Sequence, residues 1–189
     1  MRRAVFLDRD GTLNEERGYL DRLDQLELFP FAVDAVRLLN RSGFLVVVVT
    51  NQGGIGRGII DEAFLERVHG VIDQRMAEGH ARIDRFYYCP HHPDAVTVEL
   101  RGPCTCRKPL PGMIERACRE LSIDPTRSYM VGDRVIDVRS GQAAGARAVL
   151  LRTGHGARDE ALHGADVAAD AILNNLMEAV GWILRNSPH

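Results

Sequence analysis

Two aspartates, Asp8 and Asp10, stand where the apolar run Val5-Phe6-Leu7 stops, just ahead of Gly11-Thr12. A carboxylate at such a point can attack an electrophile, hold a cation or cap a turn. An isolated Asp-x-Asp is more often a turn, so its neighbours in space decide. Thr50-Asn51 follows the β-branched run Phe44 to Val49, Gly132-Asp133 follows Ser128 to Val131, and Lys108 comes just before a helix that Pro111 would open. Three carboxylates, a hydroxyl, an amide and a cation together suit a phosphate ester and a divalent metal.

The physical reason is charge. A phosphate dianion repels an attacking carboxylate, and Mg²⁺ held by hard oxygens such as those of Asp8 and Asp133 would neutralise that repulsion. Lys108, Thr50 and Asn51 would bind the equatorial oxygens and stabilise the transition state. One aspartate of the first pair can attack while the other handles the leaving-group proton, giving an aspartyl-phosphate that water hydrolyses. Asp137, four residues beyond Asp133, either braces this site by hydrogen bonds or caps the following helix.

A second constellation is Cys89-Pro90-His91 with Cys104-Thr105-Cys106. In extended backbone residues i and i+2 point the same way, so each pair can present two ligands to one ion. Three sulfurs and one imidazole close a tetrahedral Zn²⁺ site with no open position, a structural staple for the loop 89–107. His92 has the wrong parity to replace His91. Cys118 falls on an apolar helix face, and His69, His80, His163 and His189 receive no role.

These side chains need strands and helices to bring them together. Apolar runs predict strands at Val5–Leu7, Phe44–Val49, Ile83–Cys89, Ser128–Val131 and Ala148–Leu151. Helical spacing places Phe31, Val36, Leu38 and Leu39 on one helix, ended by Gly43. A second begins near Asp61, carries Phe64, Leu65, Val68, Val71, Ile72 and Met76, and ends at Gly79. A third follows Pro111 with Ile114, Ala117, Cys118 and Leu121, and a short one runs through Val138 and Ala143. A C-terminal helix over about 171–185 would be capped by Asp170. Alternating strands and helices imply a three-layer α/β fold, a Rossmann-like core with a mostly parallel sheet, whose strand ends share one crevice. No internal repeat, linker or low-complexity tract interrupts residues 1–189, which are expected to form a single domain.

Composition narrows the partners. The 24 basic residues are dispersed among 26 acidic ones for a net charge of -2, which gives nucleic acid no basic surface. No run approaches the roughly 18 apolar residues of a membrane span, and the N-terminus is too short for a secretory signal. A cytoplasmic protein acting on a small molecule, as a monomer, is the expectation.

With these residues in place, Leu7-Asp8-Arg9-Asp10-Gly11-Thr12, Val49-Thr50-Asn51-Gln52, Cys106-Arg107-Lys108-Pro109 and Val131-Gly132-Asp133 resemble the four motifs of the haloacid dehalogenase (HAD) superfamily. Adding Cys89-Pro90-His91-His92-Pro93 narrows the resemblance to the heptose 1,7-bisphosphate 7-phosphatases and the related histidinol-phosphate phosphatase domains. It covers about residues 3 to 155. The resemblance implies a HAD core without a large cap domain, acting on a sugar bisphosphate in heptose synthesis for surface glycans. It makes Asp8 the nucleophile and a Mg²⁺ ligand, Asp10 the general acid/base with its backbone carbonyl on the metal, and Asp133 the remaining ligand. Thr50 and Lys108 would stabilise the transferring group, with Asn51, Gln52 and Gly53 beside it. Arg107 would read the distal phosphate, while Glu16, Arg17, Gly18 and Tyr19 would form a substrate-contacting loop.

Three positions depart from the pattern. Gly53 replaces a serine, which removes a hydroxyl but leaves a backbone N–H. Arg134, at a common lysine position, can still contact phosphate. His155 also replaces a lysine and is given no role. Histidinol phosphate is the rival substrate, since it needs the same chemistry. An inactive zinc-stabilised interaction module is the rival of a different class.

Overall fold

The structure, a computed structural model, describes residues 1–187. The end of the expected 1–189 domain, with His189, lies outside the described residues. Six strands form one sheet: β1 Ala4–Leu7, β2 Leu45–Asn51, β3 Arg85–Cys89, β4 Tyr129–Gly132, β5 Arg147–Leu151 and β6 Ala171–Leu173. Their order is β3-β2-β1-β4-β5-β6 and every pairing is parallel. All carboxyl ends therefore lie on one edge. The chain winds outward from β1 in both directions, so the crevice of this doubly wound order falls between β1 and β4.

Among the described residues seven helices complete the layers: α1 Ala32–Arg41, the single turn α2 Gly53–Gly56, α3 Glu62–Glu78, α4 Gly112–Leu121, α5 Val135–Ala143, α6 Gly156–His163 and α7 Leu176–Asn186. Val5 and Leu7 of β1 pack with α1, α3 and α7 on one face, whereas Ala4 and Phe6 pack with α4 on the other. The alternation explains why β1 has no polar residue until it leaves the sheet. All four of its residues are fully buried, at about 1.5–3 kcal/mol for each large apolar side chain. That packing holds the strand end, and therefore Asp8, in place. On α1 the buried face is Ala32, Ala35, Val36 and Leu39, and Leu38 points outward.

The expected C-terminal helix is corrected. Residues 171–173 are the sixth strand, and α7 starts at Leu176, capped by Asn175, whose Oδ1 accepts from Glu178 N at 3.0 Å. Asp170 is not the cap, because its carboxylate accepts from Ala148 N and Arg147 Nε and thereby fastens β6 to β5. Three strand residues directly before an amphipathic helix blend into its apolar spacing. Helix α6 has no such stripe, with only Gly156 and Asp159 buried, and no periodicity predicted it.

His69 of α3 stacks on Phe86 of β3, ring centroids 4.3 Å apart, with its Nε2 buried and without a partner. Burial, then the nearby Arg9 guanidinium, pushes the imidazole from 6.5 down to about 3. The unfolded ring protonates near 6.5 while the folded ring resists. Its stabilisation is therefore complete above pH 6.5 and is lost as the pH falls toward 3. His69→Phe keeps the stack and removes the titration. Relative to the wild type, the variant is expected to gain about 1–2 kcal/mol between about pH 7 and pH 5 in urea denaturation. A wild-type–variant difference that stays constant over that range would rule this out.

Candidate active site

Hydrophobic burial carries β1 and β4 straight to the crevice, and Asp8 and Asp133 are the residues at which they emerge. Asp8 N donates to Val131 O at 3.0 Å, locking the two strand ends together. One carboxylate oxygen each from Asp8, Asp133 and Asp137 lies within 4.8 Å of the others. Burial pushes Asp133 up to about 9, reinforced by the charges of Asp8 and Asp137. Asp8 is raised to about 7, again by burial first, with Lys108 opposing and Asp137 and Asp10 adding. Asp133 Oδ2 accepts from His155 N at 2.7 Å, while its Oδ1 is buried without a partner. Crowded, desolvated carboxylates with an unsatisfied oxygen are the donor set a hard divalent cation fits. Gly11 makes room for them. Its φ of +77° is left-handed, and a Cβ there would fall 2.3 Å from Asp133 Oδ2.

Lys108 is buried among these acids. Its Nζ donates to Val49 O at 2.9 Å and forms ion pairs with Asp8 Oδ1 at 2.8 Å and Asp137 Oδ1 at 2.7 Å. Burial works against the charge, but Asp137 and Asp8 outweigh it and hold the ammonium above the usual lysine range. Asp137 performs both of the tasks open to it from the sequence. Its Oδ1 braces Lys108, and its Oδ2 accepts from Arg134 N at 3.0 Å at the start of α5.

Asp10 is held differently. Arg9 grips it with Nε at 3.1 Å and Nη2 at 2.9 Å, Asn14 Nδ2 donates at 3.0 Å, and Gln52 Nε2 donates at 3.0 Å. Burial alone would raise its pKa, but Arg9 and the donors from Asn14 and Gln52 hold it below the usual carboxylate range. Neither Arg9 nor Asn14 was expected. Parity turns Arg9 away from Asp10 along a strand, and only a side chain as long as arginine can fold back onto its neighbour.

Above these groups a cleft of about 150 Å³ is lined by Asp8, Asp10, Thr50, Gly53, Arg107 and Arg134 among others, with Glu16, Gly18 and Tyr19 along its rim. Thr50, Asn51 and Gln52 border it as expected, though each is tied to protein. Asn51 brackets Lys108 with bonds to both its N and its O. Gln52 Nε2 donates to Thr50 Oγ1 at 2.8 Å as well as to Asp10. Arg57 Nη1 donates to Tyr19 OH at 2.9 Å and fixes the rim loop to the end of α2. Arg17 does not join the cleft and pairs with Glu27 on the surface. His155 lies near Glu16, with Nε2–Oε2 at 3.7 Å, and contributes its backbone N–H to Asp133. Asp159 is a further participant without a signal in the sequence. Its Oδ2 accepts from Val135 N at 2.9 Å and lies 3.9 Å from Arg134 Nε.

The Cys/His set converges as its spacing predicts. Cys89 Sγ lies 3.8 Å from Cys104 Sγ, and His91 Nδ1 lies 3.6 Å from Cys89 Sγ and 3.5 Å from Cys106 Sγ. A tetrahedron with Zn–S of about 2.3 Å and Zn–N of about 2.0 Å has edges of about 3.5–3.8 Å, so these separations fit. The Cys89–Cys106 pair, at 2.9 Å, is closer than that edge. Burial pushes the Cys89 thiol up, so a thiolate there calls for a cation. His92 stays outside the cluster, and its Nδ1 accepts from Asp94 N at 3.0 Å. Cys118 packs against the α4 side of the core. The cluster is wired to the cleft, because Arg107 Nη1 donates to His91 O at 2.8 Å and Gln52 N donates to Cys89 O at 2.8 Å.

Comparison with known proteins gives three kinds of match. Residues 105–179 match a family model described as HAD-hydrolase-like. D-glycero-beta-D-manno-heptose-1,7-bisphosphate 7-phosphatase of Escherichia coli K12 is 44% identical over 176 residues, 93% of this chain and 90% of the relative. The Haemophilus influenzae protein of the same name is 42% identical over 92% of this chain and 95% of its own. Among solved structures, D,D-heptose 1,7-bisphosphate phosphatase from B. bronchiseptica, complexed with magnesium and phosphate, superposes with a TM-score of 0.88 at 29% identity, covering 98% of this chain and 99% of that one.

Proposed function

The chain belongs to the D-glycero-D-manno-heptose 1,7-bisphosphate 7-phosphatase family of HAD hydrolases, and from that membership we propose that it removes the 7-phosphate of this sugar bisphosphate through an aspartyl-phosphate on Asp8. The observation that carries the substrate is the placement of charge. Arg107, oriented by His91 O, and Arg134, near Asp159, line the cleft in addition to Lys108, and each guanidinium keeps further N–H donors that suit a second phosphate.

In the proposed reaction Asp8 is the attacking group. Its Oδ1 is held by Lys108 Nζ and by Arg9 N, which orients the carboxylate toward the cleft. A bond forms between an Asp8 oxygen and phosphorus as the phosphorus–O7 bond breaks, and the leaving oxygen takes a proton from Asp10. Water then attacks phosphorus, Asp10 takes a proton from it, and the Asp8–phosphate bond breaks, restoring the carboxylate. The donors around Asp10 favour its ionised form, so the proton for the first step is taken up when the phosphate dianion raises the local negative charge. Thr50, Asn51, Gln52 and Gly53 border the transferring group, and Lys108 offsets its charge.

Asp8, the Asp10 carbonyl and Asp133 would hold Mg²⁺, which when bound lowers the repulsion between Asp8 and the phosphate. The magnesium and phosphate of the B. bronchiseptica structure support this reading. Zinc on Cys89, His91, Cys104 and Cys106 would be structural, and the enzyme a single-domain monomer. No helix among the described residues is long and apolar enough to cross a membrane. The close-set free cysteines support a reducing, cytoplasmic setting.

Steady-state kinetics with Mg²⁺ tests the substrate. Heptose 1,7-bisphosphate is expected to exceed histidinol phosphate in kcat/KM by on the order of 10²-fold or more, since the latter offers Arg107 and Arg134 no second phosphate. The reverse preference would reject this assignment.

A further inference from the structure

His92 is the cleft residue for which neither the metal cluster nor the phosphoryl-transfer groups account. Its backbone is fixed on both sides, with N donating to Leu100 O and O accepting from Ala95 N, each at 3.0 Å. Its imidazole is 18% exposed and lines the cleft beside Arg107. Because Nδ1 accepts the Asp94 N–H, the neutral ring carries its proton on Nε2, and no protein acceptor among the described residues takes it.

The position of the ring depends on Gly53. The φ of Gly53 is not in the left-handed region, so conformational freedom is not what calls for glycine there. Space does. A Cβ on Gly53 would lie 2.9 Å from His92 Cδ2, the atom bonded to Nε2, and 3.4 Å from Arg107 Nη1. One point on the cleft wall is thus approached from two sides by an imidazole edge and a guanidinium. Both donors come from the loop 89–107, and neither His92 nor Arg107 bonds to Asp8, Asp10 or Lys108.

We propose that His92 is a substrate-binding residue whose Nε2–H donates to the phosphate remote from the reacting one, beside Arg107 and over the side-chain-free surface of Gly53; this rests on the bisphosphate reading above. A neutral imidazole is sufficient, since the bond is to an anionic acceptor. Gly53 and His92 then act as a pair, with the absence of one side chain allowing the approach of the other.

The test uses the full chain with both metals present and two probes: the 1,7-bisphosphate and the same sugar phosphorylated only at position 7. His92→Ala is expected to raise KM for the bisphosphate about tenfold, with kcat and both constants for the monophosphate within about twofold. His92→Gln, which restores an N–H near the same place, recovers most of the loss. Gly53→Ala, at a position that also borders the transferring group, is expected to raise KM for the bisphosphate, and adding His92→Ala to it raises that KM no further. Zinc content per chain is measured in each variant. If His92→Ala loses zinc, His92→Phe, which keeps a ring in the loop and removes the Nε2–H donor, carries the comparison and is expected to show the same rise in bisphosphate KM. Unchanged bisphosphate KM, or an equal rise for both probes, overturns the proposal and leaves the bisphosphatase reading standing. A wild-type enzyme with no preference for the bisphosphate rejects that reading, and the role of His92 with it.

Discussion

Asp8→Asn is expected to yield a folded protein that retains its zinc and whose turnover falls by on the order of 10⁴-fold or more. The change is nearly isosteric, so packing is undisturbed, and an amide oxygen can still accept from Arg9 N as Asp8 Oδ1 does at 2.7 Å. What is lost is the proposed nucleophile. An amide does not displace an alkoxide from phosphorus at a useful rate, and no neighbouring group can substitute. Asp10 is held by four donor atoms, Asp133 is buried behind Gly11, and Asp137 is tied to Lys108 and Arg134 N. Stability moves little. Lys108 keeps Asp137 Oδ1 and Val49 O, and one of three crowded carboxylates is neutralised, which relieves repulsion in the metal-free protein. Phosphate release, a thermal melt and zinc content measured on the same preparation check this. Phosphate release persisting near the wild-type rate would exclude Asp8 as the attacking group.

The strand-end acids were legible because β1 and β4 are short apolar runs that stop abruptly, and parallel strands present their ends on one edge. The Cys/His cluster was legible because its i, i+2 spacing fixes parity locally. Contacts created by topology were not. The pairing of Lys108 with Asp137 joins a turn ahead of α4 to the first turn of α5, and Asp159 reaches Val135 from a helix with no apolar stripe. Asn51 and Gln52 were expected to face phosphate, yet their amides also bind protein, a division that only side-chain geometry reveals. Sequence likewise cannot distinguish Arg17, which turns to Glu27, from Tyr19, which turns to the cleft. β6 was lost because Ala171–Leu173 is too short to show a period of its own beside α7. Parity correctly excluded His92 from the Cys/His cluster. Its place in the cleft depends on the missing side chain of a glycine far away in the chain.

Removing the metal from the Cys/His cluster is expected to impair recognition more than chemistry. The cluster joins Cys89, at the end of β3, to Cys104, 15 residues on. Between them His91 supplies the carbonyl that orients Arg107, and the Pro90 carbonyl accepts from Gly56 N. Lys108 has independent anchors in Asp8, Asp137 and Asn51, so the reacting end of the cleft keeps its geometry. Releasing a loop of this length costs about 3 kcal/mol in closure entropy, by analogy with a covalent crosslink. In a chain of this size that corresponds to a fall in Tm of about 6–12 °C. Cys104→Ser should therefore lose bound zinc, melt at a lower temperature and raise KM for the bisphosphate about tenfold or more, with a smaller change in kcat. The half-exposed Cys104 is the ligand to replace, because Cys89 is also part of the buried core and its loss would confound packing with metal binding. A zinc-free Cys104→Ser protein with wild-type Tm and KM would show that the cluster neither supports the loop nor positions Arg107. If instead kcat fell while KM held, Lys108 would depend on the loop more than its anchors in Asp8, Asp137, Val49 O and Asn51 indicate.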